Sequence, residues 1–359
     1  MLELIGRHAG VVRRVVAAVK AEHDPEDLHA FAAELCDTSA IGPERCVPHA
    51  AGGGRTPEAA LAACLGEAAE RYAAAMYDPD ELEFGDVRDG DLSPLEVAPF
   101  SDAQRDRRGF PFARAGPLRW ARGADDRRAP AFAVFLPYTP APGEALPGPS
   151  LSTGLAAGPT LESAREAALL EVIERDAFAN WWMRGEPAPR AAGGVDLTND
   201  LGGPVAAVLI EADVVSVGAA AARSFEAAAT KARLEAELGQ IYVRALVRRG
   251  PAPREVTDFP GHARWFTDHP EHRSALRRMF ADGPVREAPA GVVDPWDAVA
   301  RRGLRPWWRD LTTRDLAGVG VHVARVLVPG LTPLHAIEAW PFLGAPRLCA
   351  RNPLPHPLP

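Results

Sequence analysis

The chain has 359 residues, a length that allows one large domain or two small ones. Its formal net charge of −8 at pH 7 argues against nucleic acid or an anionic membrane surface as the main partner. Its four cysteines show no C-x-x-C and no Cys/His ligand spacing, and no apolar run is long enough to span a membrane. We therefore expect a cytoplasmic protein without a zinc site, a disulfide framework or a signal peptide.

The local patterns favour alternating helices and strands, and hence a single α/β domain. Pro57 at the first position of a helix and Thr56 before it are good start signals, and Thr160 is the expected N-cap of a second long helix. In the first half of the chain we predict a helix over 9–34 that can break near Asp24-Pro25, a flexible turn at Gly52–Gly54, a helix from Pro57 to about Met76, loops over 77–127, a strand over 129–138, and a helix from Leu161 to about Trp182. In the second half we predict strands over 204–210 and 214–222, a helix over 224–240, a strand over 241–249, short helices around 270–280 and 297–302, and a strand over 321–328.

Two of these helices carry the same acidic-basic motif, E-x-x-E-R. It occurs in ACLGEAAERYAAA and again in LLEVIERDAFANWW. Positions i, i+3 and i+4 lie on one helix face, so each motif places two carboxylates and a guanidinium side by side. Surface ion pairs are one interpretation. The other is a cradle for Mg²⁺ and phosphate, formed by Glu67, Glu70 and Arg71 on one helix and by Glu171, Glu174 and Arg175 on the other.

The segments that contain the two motifs, GGGRTPEAALAACLGEAAERY and GLAAGPTLESAREAALLEVIERDAFANWW, resemble the signatures of the YcaO family. Further resemblance lies in SDAQ, WARG, DFPGHARWF, VARVLVPGL and the terminal NPLPHPLP, so it extends over nearly the whole chain. The resemblance implies a YcaO-type α/β fold, with mixed sheets and packed helices that form an ATP cleft. It divides the chain into a helical part (1–50), an ATP-binding core (51–352) and a proline-rich tail (353–359).

What the resemblance implies chemically is ATP- and Mg²⁺-dependent cyclodehydration of Cys, Ser or Thr in a ribosomally made precursor peptide, which gives thiazolines or oxazolines. The residues that match metal-side carboxylates are Glu67, Glu70, Glu171 and Glu174, with Glu162 beside a further family position. Those that match nucleotide-binding positions are Arg71, Ser152, Arg175 and Arg325. The terminal carboxylate of Pro359 would order the site or accept a proton.

Three features keep an alternative open. Gly53 stands where the family usually has lysine, Ser163 stands where it often has glutamate, and Leu238 and Gln240 replace common polar residues and arginine. These departures favour a subunit that scaffolds an active complex, and thioamide or amidine formation are other chemistries of the family. The chain begins directly with the YcaO-like part, which implies a separate leader-binding partner of the E1-like or RRE kind. A homodimer is compatible with the apolar, alanine-rich helices.

Overall fold

The computed structural model describes residues 1–8 and 10–359. The α-helices are α1 (Pro57–Ala75), α2 (Pro94–Val97), α3 (Asp102–Arg105), α4 (Ala131–Val134), α5 (Leu161–Arg184), α6 (Phe225–Arg248), α7 (Phe259–Asp268), α8 (Arg273–Ala281), α9 (Pro295–Ala300) and α10 (Arg314–Gly318). The strands are β1 (Val12–Ala17), β2 (His29–Leu35), β3 (His49–Gly54), β4 (Glu83–Gly85), β5 (Leu118–Arg122), β6 (Arg128–Pro130), β7 (Leu155–Gly158), β8 (Arg190–Ala191), β9 (Gly194–Asp196), β10 (Val205–Glu211), β11 (Val215–Ala221), β12 (Trp307–Asp310) and β13 (His322–Leu327). The α/β class predicted from the sequence is confirmed.

The chain forms two compact units, which are described separately. Unit 1 comprises Met1–Ala18, His29–Val172 and Leu304–Gly330. Unit 2 comprises Val19–Leu28, Ile173–Gly303 and Leu331–Pro359. Helix α5 begins in unit 1 and ends in unit 2. Within the described residues, none of the helices combines the length and the apolar character needed to cross a membrane.

The helix predicted over 9–34 is wrong. The described part of this segment instead holds β1 and β2, which pair antiparallel with Ala17 opposite Phe31. Residues rich in valine favour an extended backbone once a partner strand is available, and Pro25 interrupts any helix that would span the segment. Residue 9 itself lies outside the described residues.

The predicted flexible turn at Gly52–Gly54 is also wrong, because these glycines belong to β3, which pairs with β2. Their role is close packing. A Cβ on Gly52 would lie 2.1 Å from the backbone nitrogen of Cys64 on α1, so only glycine lets the helix approach the strand this closely. Unit 1 thus contains the antiparallel sheet β1-β2-β3 with α1 packed on β3.

Two further three-stranded sheets complete unit 1, in the orders β12-β13-β7 and β4-β5-β6. The strand predicted over 321–328 is confirmed as β13. The segment 129–138 is a strand only at its start, in β6, and continues as α4. Helix α1 contacts both β7 and β13.

Unit 2 contains the antiparallel sheet β11-β10-β9-β8, and α6 packs on β10 and β11. Both predicted strands of this region are confirmed as β10 and β11. The strand predicted over 241–249 is wrong, because α6 continues to Arg248. Val243 and Leu246 are buried on one face of that helix. Residues three positions apart share a face of a helix, whereas in a strand they would point to opposite sides, so only the helix brings both side chains to the core. Gly218 on β11 allows the close contact, since a Cβ there would lie 2.1 Å from the Ala232 carbonyl oxygen.

Candidate functional site

Helix α1 brings the first motif into unit 1. Thr56 caps it, since the Thr56 side chain accepts a hydrogen bond from the N–H of Ala59, as the sequence predicts. Glu67 accepts from the N–H of Ala51 on β3 at 2.8 Å and from Nε of Arg71 at 3.0 Å. Glu67 and Arg71 therefore form a half-buried pair fixed to the sheet.

Glu70 points the other way, toward β7, where it accepts from the N–H of Ala157 at 2.7 Å. Burial raises the pKa of Glu70 well above its usual value, and the charges of Glu171 and Glu67 raise it further. The Ala157 N–H opposes this shift in pKa because it donates to the ionised form. The structure thus brings three of the five predicted metal-side carboxylates together in unit 1.

Glu171 is fixed by a turn that enters β7. Its Oε2 accepts from the N–H of Gly154 at 3.2 Å. Gly154 has a φ of +82°, and a Cβ at this position would lie 2.1 Å from the carbonyl oxygen of Val326. Only glycine is compatible with that backbone conformation and that contact. Ser152, the predicted nucleotide-binding serine, is exposed in the same turn.

Arg325 on β13 is only 2% exposed and is committed to backbone carbonyls. It donates to Ala133 from Nε at 2.9 Å and from Nη2 at 2.6 Å, to Leu151 from Nη2 at 2.6 Å, and to Ser152 from Nη1 at 3.0 Å. Burial lowers the pKa of Arg325 to about 10, and the nearby Glu171 charge opposes that shift. Its predicted contact with phosphate stays a prediction. The hydrogen bonds that Arg325 donates to Leu151 and Ser152 support the turn that carries the Ser152 hydroxyl.

Glu162 does not join this cluster. It is exposed in the first turn of α5, about 13 Å along the helix axis from Glu171 at 1.5 Å per residue. The neighbouring Ser163 closes the N-terminus of α5 with Thr160, because the N–H of Ser163 donates to the Thr160 hydroxyl at 3.1 Å. The metal role predicted for Glu162 therefore has no support in the geometry.

The second half of the α5 motif lies in unit 2. Glu174 is 7% exposed, and Nε of Arg175 lies 3.4 Å from its Oε1. Burial lowers the pKa of His356 in the proline tail, and the charge of Arg175 makes a smaller contribution in the same direction, so the tail lies within electrostatic reach of this arginine. Residues 355–358 of the tail are buried and Pro359 is exposed at the end of the chain.

Sequence reasoning missed two buried polar groups of unit 2. Asp176, one residue after the motif, is fully buried and accepts from the N–H of Thr332 at 2.9 Å and from Nδ2 of Asn199 at 2.8 Å. His335 and His356 lie beside His262, which belongs to the family-like segment DFPGHARWF. No spacing signal announces these groups, because their partners are distant in sequence. Trp182 belongs to the core, since it is only 1% exposed.

Comparison with known proteins identifies the family. The sequence profile of one family, described as YcaO cyclodehydratase, ATP- and Mg²⁺-binding, matches residues 51–194 and 193–332. An uncharacterized protein of Methanothermobacter thermautotrophicus is 30% identical over 328 residues, which cover 78% of this chain and 81% of the relative.

Two solved structures share the fold at low sequence identity. A heterocyclase in complex with substrate and cofactor has a TM-score of 0.72 at 21% identity and matches 92% of this chain. The match covers 51% of that heterocyclase, so this chain spans about half its length. The YcaO protein of Methanopyrus kandleri, bound with AMPPCP and Mg²⁺, has a TM-score of 0.61 at 21% identity, over 89% of this chain and 86% of that one. The extent of the profile match and the 30% identical relative show that the chain belongs to the YcaO family of ATP- and Mg²⁺-binding cyclodehydratases.

Proposed function

We propose that this enzyme converts Cys, Ser or Thr residues of a ribosomally made precursor peptide to thiazolines or oxazolines, with ATP as co-substrate. The observation that carries the proposal is the group of half-buried carboxylates in unit 1: Glu67, Glu70 and Glu171. Three acidic side chains lie close enough for two of them to raise the pKa of the third, in surroundings where burial already disfavours its charge.

The donor set fits Mg²⁺. This ion prefers carboxylate oxygens and keeps positions for phosphate oxygens, and Glu70, Glu171 and Glu67 would hold it. When bound, it supplies positive charge that offsets the repulsion among these carboxylates and neutralises a triphosphate. The ion pair between Glu67 and Arg71 balances the negative charge of one of the three carboxylates. It therefore lowers the electrostatic repulsion within the cluster when no Mg²⁺ is bound.

The chain's own groups orient the reactants. The Gly154 N–H and the Ala157 N–H fix the carboxylates of Glu171 and Glu70, so these need little rearrangement when a nucleotide binds. Arg325 holds the turn that presents the exposed Ser152 hydroxyl, which we propose donates to a phosphate oxygen. Arg175, on the second half of α5, remains the proposed further phosphate ligand.

The reaction balances as follows. The substrate thiol or hydroxyl forms a bond to the preceding amide carbon, and the carbonyl oxygen takes the γ-phosphoryl group of ATP, which releases ADP. The bond between carbon and that oxygen then breaks, phosphate leaves, and the existing C–N bond becomes the C=N bond of the ring that the first step closed. The thiol or hydroxyl proton and the amide proton are lost; we propose that the carboxylate of Pro359 accepts one of them. The net products are azoline, ADP and phosphate.

A second protein is part of this proposal. We propose that a separate leader-binding protein captures the precursor peptide and delivers it to this chain. The anionic overall charge suits a basic leader or a basic partner surface better than nucleic acid.

The test combines mass spectrometry with isotope transfer. The chain, its partner and the short Cys/Ser/Thr-rich peptide encoded beside it are incubated with Mg-ATP, and each azoline appears as the loss of one water. A heavy oxygen isotope placed in the reacting carbonyl ends in inorganic phosphate if that oxygen is phosphorylated. Glu70→Gln and Glu171→Gln abolish both signals, whereas Glu58→Gln, an exposed position on α1, preserves them. Label that stays in the peptide contradicts the proposal.

One observation favours a second candidate, a subunit whose weakened ATP site completes another active complex. The Ser163 hydroxyl is engaged at the helix N-terminus and Glu162 is exposed, so neither contributes to the carboxylate cluster. Calorimetry with Mg-ATP separates the two candidates. Binding that is lost in Glu171→Gln supports the enzyme, and no binding to the wild type supports the weakened subunit. A peptide product that gains sulfur in place of oxygen would instead indicate thioamide formation.

A further inference from the structure

The proline tail ends in a cluster of three buried histidines in unit 2, which we call the histidine box: His262, His335 and His356. They are 0%, 5% and 0% exposed. The rings of His262 and His356 stack, with centroids 3.7 Å apart and planes 1° apart. The ring of His335 meets the other two edge-on, at centroid distances of 5.4 and 4.8 Å.

Hydrogen bonds join the rings of His262 and His356 to backbone carbonyl oxygens. Nε2 of His356 lies 2.7 Å from the His335 carbonyl oxygen and donates to it. Nδ1 of His262 lies 3.2 Å from the carbonyl oxygen of His356, and Nε2 lies 3.1 Å from that of Ala336. A neutral imidazole carries one N–H, so His262 donates to one of these two oxygens at a time. Burial lowers the pKa of His262 to about 3, which keeps the ring neutral.

The arrangement does not suit a metal ion, although one nitrogen from each ring lies within 4.8 Å of the others. A ring nitrogen binds a metal in the plane of its ring, at about 2.0–2.1 Å for zinc. The planes of His262 and His356 are parallel, and no point lies in both. The box therefore acts by stacking and hydrogen bonding, and its one buried nitrogen without a hydrogen-bond partner, Nδ1 of His356, is a cost of that packing.

Further contacts hold the start of the tail. Nε1 of Trp182 donates to the carbonyl oxygen of Leu354 at 2.9 Å, and Nδ2 of Asn352 donates to that of Trp182 at 3.0 Å. Pro355 and Pro357 fix their own φ angles on either side of His356. A chain held at 352, at 354 and at 356 has little freedom left before its last residue, which alone of the final five is exposed.

We propose that His262 and His335 are positioning residues for Pro359: they clamp His356 and so fix where the terminal carboxylate stands. This inference rests on the proposed function for its catalytic consequence, whereas the clamp itself rests on the contacts described. The stacked ring of His262 and the His335 carbonyl grip one tail residue from two sides. Three residues of stiff chain then separate that grip from the carboxylate.

Limited proteolysis tests the clamp. Trypsin cuts after the exposed Arg351 and releases the peptide 352–359, which mass spectrometry quantifies. In His262→Ala the tail loses the ring that stacks on His356, and in His356→Ala the buried His335 carbonyl loses its donor. In both variants we expect the peptide to be released at least about tenfold faster. His356→Gln keeps an N–H for the His335 carbonyl and recovers part of the protection. His8→Ala, at an exposed position, releases the peptide at the wild-type rate.

Kinetics of the complete enzyme test the consequence. With the precursor peptide and Mg-ATP, His262→Ala lowers kcat for azoline formation by about tenfold and leaves KM for ATP within about twofold. Unchanged release of the peptide 352–359, faster release with unchanged kcat, or one zinc per purified chain each overturn the inference. A wild type that makes no azoline defeats the proposed function alone, since the release rates still decide whether the histidine box holds the tail. If His262→Ala does not fold, His356→Gln and His356→Ala carry both measurements.

Discussion

Replacing Arg325 is the sharpest test of how the turn of unit 1 is built. Its guanidinium uses four N–H groups on the carbonyls of Ala133, Leu151 and Ser152. The Ser152 carbonyl also accepts from the N–H of Leu155 at 2.9 Å, so it keeps a donor when Arg325 is lost. In Arg325→Met, the carbonyls of Ala133 and Leu151 lose their donors.

The size of the effect follows from these two groups. A buried acceptor that loses its partner costs about 1–3 kcal/mol, so two cost roughly 2–6 kcal/mol. Relief from burying a charge offsets part of this, because Arg325 is only 2% exposed and burial lowers its pKa to about 10. We expect a net loss of about 3 kcal/mol in the free energy of unfolding. For unit 1, whose size lies between about 150 and 250 residues, this lowers the thermal midpoint by roughly 6–12 °C.

Thermal unfolding and Mg-ATP calorimetry on three variants separate a structural role from a phosphate contact. Arg325→Met loses both stability and binding, because the turn that holds Ser152 and Gly154 is released. Arg325→Lys keeps a positive charge but only a compact ammonium group, so it should lose about half as much stability. Arg314→Met, at an exposed position, serves as the control. A melting point for Arg325→Met within about 1 °C of wild type would refute the reasoning. Full stability of Arg325→Lys with lost binding would point to the phosphate contact instead.

Three further predictions concern single residues. In metal-free protein, ionising Glu70 costs stability because burial raises its folded-state pKa above the unfolded value of about 4.3, so the wild type loses stability as pH rises above that value. Glu70→Gln has no such group, and the gap between the thermal midpoints of the two proteins should therefore widen from pH 4 to 7, while the variant also loses Mg-ATP binding. Equal midpoints at both pH values would show that the carboxyl is not buried. Gly154→Ala forces a Cβ against the Val326 carbonyl oxygen at positive φ, so Mg-ATP affinity measured by calorimetry should fall by about tenfold or more, with an unchanged affinity as the contrary result. Asp176→Ala removes the acceptor of three hydrogen bonds that are at least part-buried, and it should lower the unfolding free energy by about 3 kcal/mol in denaturant titrations, a loss that an exposed residue would not produce.

Local signals were sufficient where one helix carries both its own start signal and its own chemistry. Thr56 and Pro57 announce α1, and the E-x-x-E-R spacing places Glu67, Glu70 and Arg71 on it without any tertiary information. The same reasoning predicts α5 with its cap. The family match adds the prediction that the two motifs belong to one function.

Long-range pairing explains the failures. Residues 12–17 and 29–35 have compositions that suit a helix or a strand, and only their mutual register decides for β1 and β2. The histidine box is invisible for a similar reason, because His262 meets His356 across 94 positions of sequence. Periodicity reports which face of a segment is apolar, but it carries no information about which distant segment covers that face.

Small residues connect the fold of unit 1 to its chemistry. Gly52 lets α1 approach β3, and at that distance the Ala51 N–H reaches the Glu67 carboxylate. On its other side, α1 reaches β7, where the Ala157 N–H donates to Glu70. A larger residue at Gly52 would move α1 away from β3. The Glu67 carboxylate would then lose the hydrogen bond from the Ala51 N–H, although residue 52 does not itself donate to that carboxylate. The glycine-rich strand therefore acts on the site through helix position, since carboxylates held by backbone N–H groups are oriented before any ligand arrives.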